Sequence, residues 1–211
     1  MSQAKTVKPL RLLVGLGNPG PQYASTRHNI GAVWVERLAA SYGVDLRAET
    51  RFKGLFGKGQ IEGREVALLL PTTFMNDSGR SVAAVARFFK IEPPEVLIAH
   101  DELAFATGIV KLKFGGGTNG HNGLKDIIPA LGSRDDFHRL RIGVDHPGQA
   151  KRVASYLTSE KIPAAQQRCL DEAISLPLST LQDLLGGEMN KAMNALHAKP
   201  EAPRKPDSTL D

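Results

Sequence analysis

Near its amino terminus the chain reads Leu10-Arg11-Leu12-Leu13-Val14-Gly15, a short and almost continuously apolar run that ends at a glycine. Two similar runs follow at Val66-Ala67-Leu68-Leu69-Leu70 and Val96-Leu97-Ile98-Ala99-His100. Short apolar runs bounded by Gly or Pro are typical of strands that are buried on both faces. The three runs therefore predict the centre of a parallel sheet.

Polar side chains follow these runs at their carboxyl ends. Asn18, Asn76 and Asp101 each come after one run, and His28 lies in the connection that follows the first. Ligands of open α/β sheets bind in the crevice beyond the carboxyl ends of the strands, so we expect these side chains to form one site. Hydrolysis of a carbonyl compound needs a base, a group that orients it and donors for an oxyanion, and this set provides all three.

The rest of the chain alternates helical and extended patterns. Helices are predicted over residues 29–42, 78–90 and 124–131 and over most of 162–197, and further strands over 52–61, 109–114 and 140–144. This order predicts a single-domain three-layer α/β sandwich, with a mixed, mostly parallel central sheet flanked by helices. The domain is expected at residues 9–197, between a flexible amino terminus at 1–8 and a disordered, Pro-rich and charged tail at 198–211.

Composition narrows the class of protein. A length of 211 residues with 41% hydrophobic content suits one domain with a substantial core. The net charge of +5 and the pI near 9.4 indicate a basic face, for which an acidic polymer is a candidate partner and plain solvation is an equal alternative. A single cysteine, Cys169, and the lack of a run of transmembrane length predict a cytoplasmic protein that does not enter a membrane. The histidines lack close ligand spacing, so neither a metal nor a cofactor is expected.

The first loop, Gly15-Leu16-Gly17-Asn18-Pro19-Gly20, has the G-x-G-x-x-G spacing of a dinucleotide site. Such a site needs a helix directly after the loop and an acidic residue at the end of a second strand. Here residues 21–27 separate the loop from the predicted helix, and the nearest acid, Glu36, lies inside that helix. Close approach of the backbone to some other ligand, or turn geometry alone, explains the glycines better.

His28 and Asp101 are the candidate base and its partner. His28 immediately precedes the first predicted helix, whose positive end disfavours imidazolium and should keep the ring neutral. A histidine at a helix end and an acid at a strand end are also common structural residues. Asp101 is nevertheless the best-placed acid at that edge to fix the tautomer of a catalytic histidine.

A glycine-rich stretch, residues 114–123, follows a strand in which Lys111 and Lys113 share one face. Arg139 and Arg141 alternate in the same way along a later strand. Backbone amides and cations are therefore predicted to gather where phosphate could bind. A floppy surface loop is the alternative interpretation of the glycines.

Six motifs in order resemble the bacterial peptidyl-tRNA hydrolase family, from Leu12 to about Leu157 and more weakly to His197. They are Val14-Gly15-Leu16-Gly17-Asn18-Pro19-Gly20, Thr26-Arg27-His28-Asn29-Ile30-Gly31, Pro71-Thr72-Thr73-Phe74-Met75-Asn76-Asp77-Ser78-Gly79, His100-Asp101-Glu102-Leu103, Gly120-His121-Asn122-Gly123-Leu124 and Arg139-Leu140-Arg141-Ile142-Gly143. The resemblance implies a monomeric, metal-independent esterase that cleaves the bond between a peptide and the tRNA ribose and so recycles tRNA for translation.

The resemblance also assigns roles to residues. His28 is similar to the family's catalytic base and Asp101 to the carboxylate that orients it. The implied substrate-binding residues are the amides Asn18, Asn76 and Asn122 and the pocket residues Tyr23, Met75 and His121. Lys111, Lys113 and Arg141 would hold the 5′-phosphate and acceptor stem of peptidyl-tRNA, whose 3′ end and peptide occupy the site.

The chain departs from the family pattern at three places. These are Ala104-Phe105-Ala106-Thr107, where an acidic residue and prolines are usual, Thr118-Asn119, and Asp145, often a glycine. They border the expected substrate channel and so affect its shape more than the chemistry. The competing class of function is a basic α/β module that holds RNA without cleaving it.

Overall fold

The structure is a computed structural model that describes residues 8–197. The predicted tail at 198–211 and most of the predicted flexible amino terminus lie outside the described residues. The strands are β1 Leu12–Gly15, β2 Arg47–Glu49, β3 Gly54–Ile61, β4 Arg64–Pro71, β5 Val96–Glu102, β6 Val110–Phe114 and β7 His138–Gly143. The helices are α1 Ile30–Ser41, α2 Ser78–Phe89, α3 Asn122–Ala130, α4 Val153–Thr158, α5 Ala164–Ala173, α6 Leu178–Gly186 and α7 Met189–His197.

The strands form one mixed sheet in the order β2-β3-β4-β1-β5-β7-β6. The four central strands, β4, β1, β5 and β7, are parallel, whereas β2, β3 and β6 are antiparallel to their neighbours. The carboxyl ends of the four central strands therefore meet at one edge of the sheet. This confirms the predicted mixed sheet with a parallel centre.

Helices cover both faces of the sheet, because each central strand buries side chains on both sides. One core layer packs α1 and α5 to α7 against the sheet through residues such as Trp34, Leu170 and Leu184. The other packs α2 and α3 through residues such as Val82 and Ile127. The predicted three-layer sandwich is confirmed.

The glycines of the first loop serve close packing of α1 against the sheet. A Cβ atom at Gly15 would lie 2.4 Å from the carbonyl oxygen of Gly31, and one at Gly31 would lie 2.1 Å from that of Ala99. Any larger residue at either position would push α1 away from β1 and β5. The sequence predicted close approach to a ligand or a turn, whereas at Gly15 the close neighbour is the backbone of α1.

Three local features differ from the sequence prediction. The predicted strand at 52–61 begins with a 3-10 helix, Thr50–Phe52, and Lys53 has a left-handed φ of 49°, which separates this turn from β3. The short elements β2 and α4 were not predicted. Asp145, at a position often held by glycine in the family that the chain resembles, has a φ of 69°, the left-handed region that glycine adopts most easily.

Candidate active site

His28 and Asp101 lie together at the carboxyl edge of the sheet. His28 lies in a 3-10 helix, Arg27–Asn29, that leads directly into α1, and Asp101 lies near the end of β5. Their side chains are buried, and His28 Nδ1 is 2.8 Å from Asp101 Oδ1. Asp101 can therefore hold Nδ1–H, which leaves His28 Nε2 as the basic nitrogen.

His121 is the second partner of the same carboxylate oxygen. Its Nδ1 accepts hydrogen bonds from the backbone N–H groups of Gly123 and Leu124 and so caps α3. Because Nδ1 accepts, the proton of the neutral ring lies on Nε2, which donates to Asp101 Oδ1 at 3.1 Å. We call His28, Asp101 and His121 the catalytic corner.

Opposing effects set the charges of this corner. Burial lowers the pKa of His28, but the charge of Asp101 and its hydrogen bond raise it by more, so the pKa lies above 6.5. Burial raises the pKa of Asp101, but His28 and His121 hold it well below 3.8. The net shift of the His28 pKa is therefore upward, opposite in direction to the effect expected from the helix end.

The catalytic corner is also the group of described residues with the geometry for a metal ion, since its ligand atoms lie within 4.8 Å of one another. The hydrogen bonds argue against this use. A metal on His121 Nε2 would need a lone pair there while Nδ1 still accepts from the α3 backbone. A neutral imidazole cannot offer both lone pairs, so the ring suits a donor better than a ligand.

Asn18 is held by two neighbouring segments. Its backbone N–H donates to Asn29 Oδ1 at 2.8 Å, and Asn29 Nδ2 donates back to the Asn18 carbonyl at 2.9 Å. The Oδ1 atom of Asn18 accepts from the Met75 N–H at 2.8 Å. The side-chain oxygen is thus engaged within the protein, and the NH₂ group of Asn18 is the part suited to bind another acceptor.

Of the remaining predicted pocket residues, Met75 lies beside the catalytic corner, and the others lie on or near the segments that carry Met75 and His121. Met75 is buried and packs close to Gly123, where a Cβ atom would lie 2.8 Å from Met75 Sδ and 3.1 Å from His121 Cε1. Asn76 and Asn122 are exposed beside Met75 and His121. Tyr23 meets Phe74 edge to face, with the ring centroids 6.5 Å apart. Phe74 is 57% exposed and was not among the predicted site residues.

The glycine-rich stretch is held by specific hydrogen bonds. Arg139 donates to the carbonyl oxygens of Gly116 and Gly117, both at 2.5 Å, and Asp135 Oδ2 accepts from the Gly116 N–H. Asn119 donates to Glu102 Oε1 at 2.6 Å. Arg139 is buried, so it supports this loop, and the expectation that it would join a phosphate site was wrong.

Lys111, Lys113 and Arg141, which we call the basic face, lie on the adjacent strands β6 and β7. Lys111 is paired directly with Arg141 across the two strands. Arg141 also lies opposite His100, the residue before Asp101. The side chain of Arg141 forms two contacts of 2.9 Å with Glu102 Oε2, which the sequence analysis did not foresee.

The chain is similar to known proteins in both sequence and fold. A sequence profile described as "Peptidyl-tRNA hydrolase" matches residues 12–204. Peptidyl-tRNA hydrolases of Pseudomonas putida and Pseudomonas aeruginosa are 52% and 50% identical over 190 residues, which cover 90% of this chain and 97% of each relative. The crystal structure of peptidyl-tRNA hydrolase from Acinetobacter baumannii superposes with a TM-score of 0.86 at 48% identity, over 90% of this chain and 95% of that one.

Proposed function

The chain belongs to the peptidyl-tRNA hydrolase family, and on this basis we propose how its residues hydrolyse the ester bond between peptide and tRNA. The enzyme releases the peptide and returns free tRNA to translation. The proposal concerns the roles of individual side chains, and the buried hydrogen bond of 2.8 Å between His28 and Asp101 carries it.

His28 Nε2 acts as the general base. It takes a proton from a water molecule while the water oxygen attacks the ester carbonyl carbon. Asp101 fixes the Nδ1–H tautomer and stabilises the imidazolium that forms. The imidazolium then gives its proton to the ribose oxygen as the carbon–oxygen ester bond breaks. His121 donates to Asp101, and so keeps the carboxylate in place for His28.

The three asparagines bind the reacting group and the chain around it. Asn18 is the best-fixed donor, because Met75 and Asn29 hold its oxygen and its backbone. We assign its NH₂ group, together with those of Asn76 and Asn122, to the ester oxygen and the neighbouring substrate amides. Tyr23, Met75 and the exposed ring of Phe74 contact the peptide and the 3′ end.

The basic face holds the tRNA. Lys111, Lys113 and Arg141 bind phosphates of the acceptor stem, which positions the ester without reading the nucleotide sequence. In the part of the chain that the structure describes, no helix has the length and apolar character needed to span a bilayer. A substrate of translation supports a cytoplasmic location, and we propose that the enzyme works there as a monomer.

The mechanism is tested by a single turnover of N-blocked aminoacyl-tRNA in ¹⁸O-water, followed by acid quenching. Direct attack by water predicts one ¹⁸O atom in the released carboxylate and an enzyme of unchanged intact mass. An acylated enzyme in the quenched sample would contradict direct attack. Cys169 lies on α5 and is exposed, so its substitution by serine is expected to leave turnover unchanged and serves as the control.

A further inference from the structure

The turn between β5 and β6 places an aromatic ring against two cations of the basic face. Lys111 Nζ lies 4.8 Å from the centroid of the Phe105 ring, and Arg141 Cζ lies 4.4 Å from it. Both distances are within the range of a cation–π interaction. Phe105 belongs to the stretch 104–107, in which this chain departs from its family.

The backbone around Phe105 fixes the position of its Cβ atom. The carbonyl oxygen of Phe105 accepts from the Asp145 N–H at 2.9 Å. A Cβ atom at Gly143 would lie 2.9 Å from the Phe105 Cβ atom and 2.2 Å from the Ala106 carbonyl oxygen. The turn is therefore packed directly against the end of β7, which fixes the Cα–Cβ bond from which the ring extends.

Two like charges lie opposite each other beside this ring. Lys111 and Arg141 are directly paired across β6 and β7, an arrangement that is unfavourable unless other groups offset it. Glu102 offsets the charge of Arg141 through two contacts. The negative face of the Phe105 ring offers a second partner to both cations.

Arg141 and Lys111 can contact the Phe105 ring and still donate hydrogen bonds to a phosphate. A guanidinium can stack on an aromatic face while its N–H groups donate at its edge. Arginine has five N–H groups, so the two contacts with Glu102 do not use them all. Lysine has a long flexible stem, and a ring that restricts this stem lowers the entropy lost on binding.

We propose that Phe105 is a positioning residue for tRNA binding, because its ring holds Lys111 and Arg141 ready for the phosphates of the acceptor stem. This inference rests on the proposed function of the basic face. It assigns to the turn before β6 a part in substrate affinity and none in the chemistry at the ester.

The test compares Phe105→Leu and Phe105→Met, which keep an apolar side chain, with Phe105→Tyr, which keeps the ring. Each lost cation–π contact corresponds to about a twofold to fivefold effect at an exposed site. We expect Leu and Met to raise KM for full peptidyl-tRNA by about threefold to fivefold with kcat unchanged. The Tyr variant should behave as the wild type. Kinetics on a peptidyl-adenosine fragment without the stem should not change in any of them.

Phe114→Leu is the matched control, since Phe114 is 51% exposed on β6 and its ring contacts His138. The salt dependence of binding to uncharged tRNA distinguishes a residue that positions the cations from a residue that contacts the phosphates itself. Phe105→Leu should keep the slope of log Kd against log salt, whereas Lys111→Ala should lower it by about 0.7 to 0.9.

Three outcomes would overturn the inference. They are a Phe105→Leu variant that matches Phe114→Leu, a loss of equal size on the fragment, and a Tyr variant as weak as the Leu variant. If Lys111→Ala still weakens tRNA binding in these cases, the proposed role of the basic face stands without Phe105. If Lys111→Ala has no effect either, the role of the basic face is what fails.

Discussion

The catalytic corner and the basic face lie close together in the sheet but differ in how their charges are held. His28, Asp101 and His121 are buried, and both imidazoles bond to a single carboxylate oxygen. Lys111 and Arg141 are partly exposed and Lys113 is exposed, and the partners of Arg141 are a carboxylate and an aromatic ring. One region is almost entirely buried, and the other is exposed.

This difference fits the two tasks that we propose for these regions. A base works best when its tautomer and orientation are fixed before the substrate arrives, because reorganisation during the reaction costs rate. A polyanion is best held by exposed cations that can adjust to its phosphates and that release counterions on binding. The two regions should therefore respond differently to substitution: the catalytic corner through kcat, the basic face through KM and salt dependence.

The largest effect is expected from His28→Asn. Loss of general-base help should reduce kcat by about 10²- to 10⁴-fold, while tRNA binding and the melting temperature stay near those of the wild type. The measurements are single-turnover hydrolysis and binding of uncharged tRNA. His146→Asn, at an exposed histidine, is the control and should remain fully active. Hydrolysis near the normal rate by a folded His28→Asn protein would remove His28 from the mechanism.

Asp101→Asn should come next, with about a 10²-fold loss of kcat and a shifted pH profile. The base must be neutral, so kcat rises with pH through the pKa of His28, which lies above 6.5 in the wild type. Without the carboxylate, burial still lowers the pKa of His28, whereas the charge that raised it is gone. The midpoint of the acidic limb should therefore move to lower pH.

The pH profile of Asp101→Asn separates two roles of the carboxylate. A reduced kcat with an unmoved midpoint would mean that Asp101 orients His28 without setting its charge. An unreduced kcat would mean that His28 has a different partner in the reaction.

A smaller loss of kcat is expected from Asn29→Leu. Asn29 lies next to the catalytic corner and acts through Asn18. Leucine keeps the approximate volume of the side chain but removes both hydrogen bonds to the backbone of Asn18. Unsatisfied buried groups cost about 1–3 kcal/mol, so Asn18 should shift and kcat should fall by about 10- to 100-fold. Kinetics on full peptidyl-tRNA and on the fragment should fall equally. A loss confined to the full substrate would contradict a role at the ester.

The fold was predictable where local patterns are strong. The runs that became β1, β4 and β5 are apolar because both of their faces are buried, and this pattern is visible in one dimension. Strand β2, Arg47–Glu49, has no such pattern, since it is a short polar edge strand that only backbone pairing with β3 defines. Helix α4, Val153–Thr158, has six residues, too few for a clear periodicity.

The site, like the fold, was predictable only where residue type and position along the chain were sufficient. His28 and Asp101 were identified because their residue types are those of a base and its partner at one sheet edge. Glu102 and Asn29 act through bonds that depend on register and on the path of a turn. Arg139 and Arg141 look alike in sequence, but a carbonyl-rich loop covers one and a carboxylate faces the other. Alternation along a strand cannot predict these partners.

Among the substitutions that compare the two regions directly, the smallest effect is expected from the double variant Lys111→Ala/Lys113→Ala, which probes the basic face alone. The two lysines lie two residues apart on β6, so their side chains lie on the same face of the strand and can reach neighbouring phosphates. KM for full peptidyl-tRNA should rise by about tenfold, with kcat preserved, because each surface cation near a phosphate contributes only modestly at ordinary ionic strength. The slope of log Kd against log salt should fall by about 1.4 to 1.8 for two lost contacts.

Lys58→Ala is the matched control for this double variant, because Lys58 also lies on a strand and beside an aromatic ring, Phe89, at 5.2 Å. Lys58 belongs to β3, near the opposite edge of the sheet from β6. Its substitution should change neither KM nor the slope of log Kd against log salt. A peptidyl-adenosine fragment should be hydrolysed equally well by the wild type and the double variant, since it has no acceptor stem. If the double variant lost activity on the fragment as well, the lysines would act at the ester. The division between a buried region for chemistry and an exposed region for holding tRNA would then be wrong.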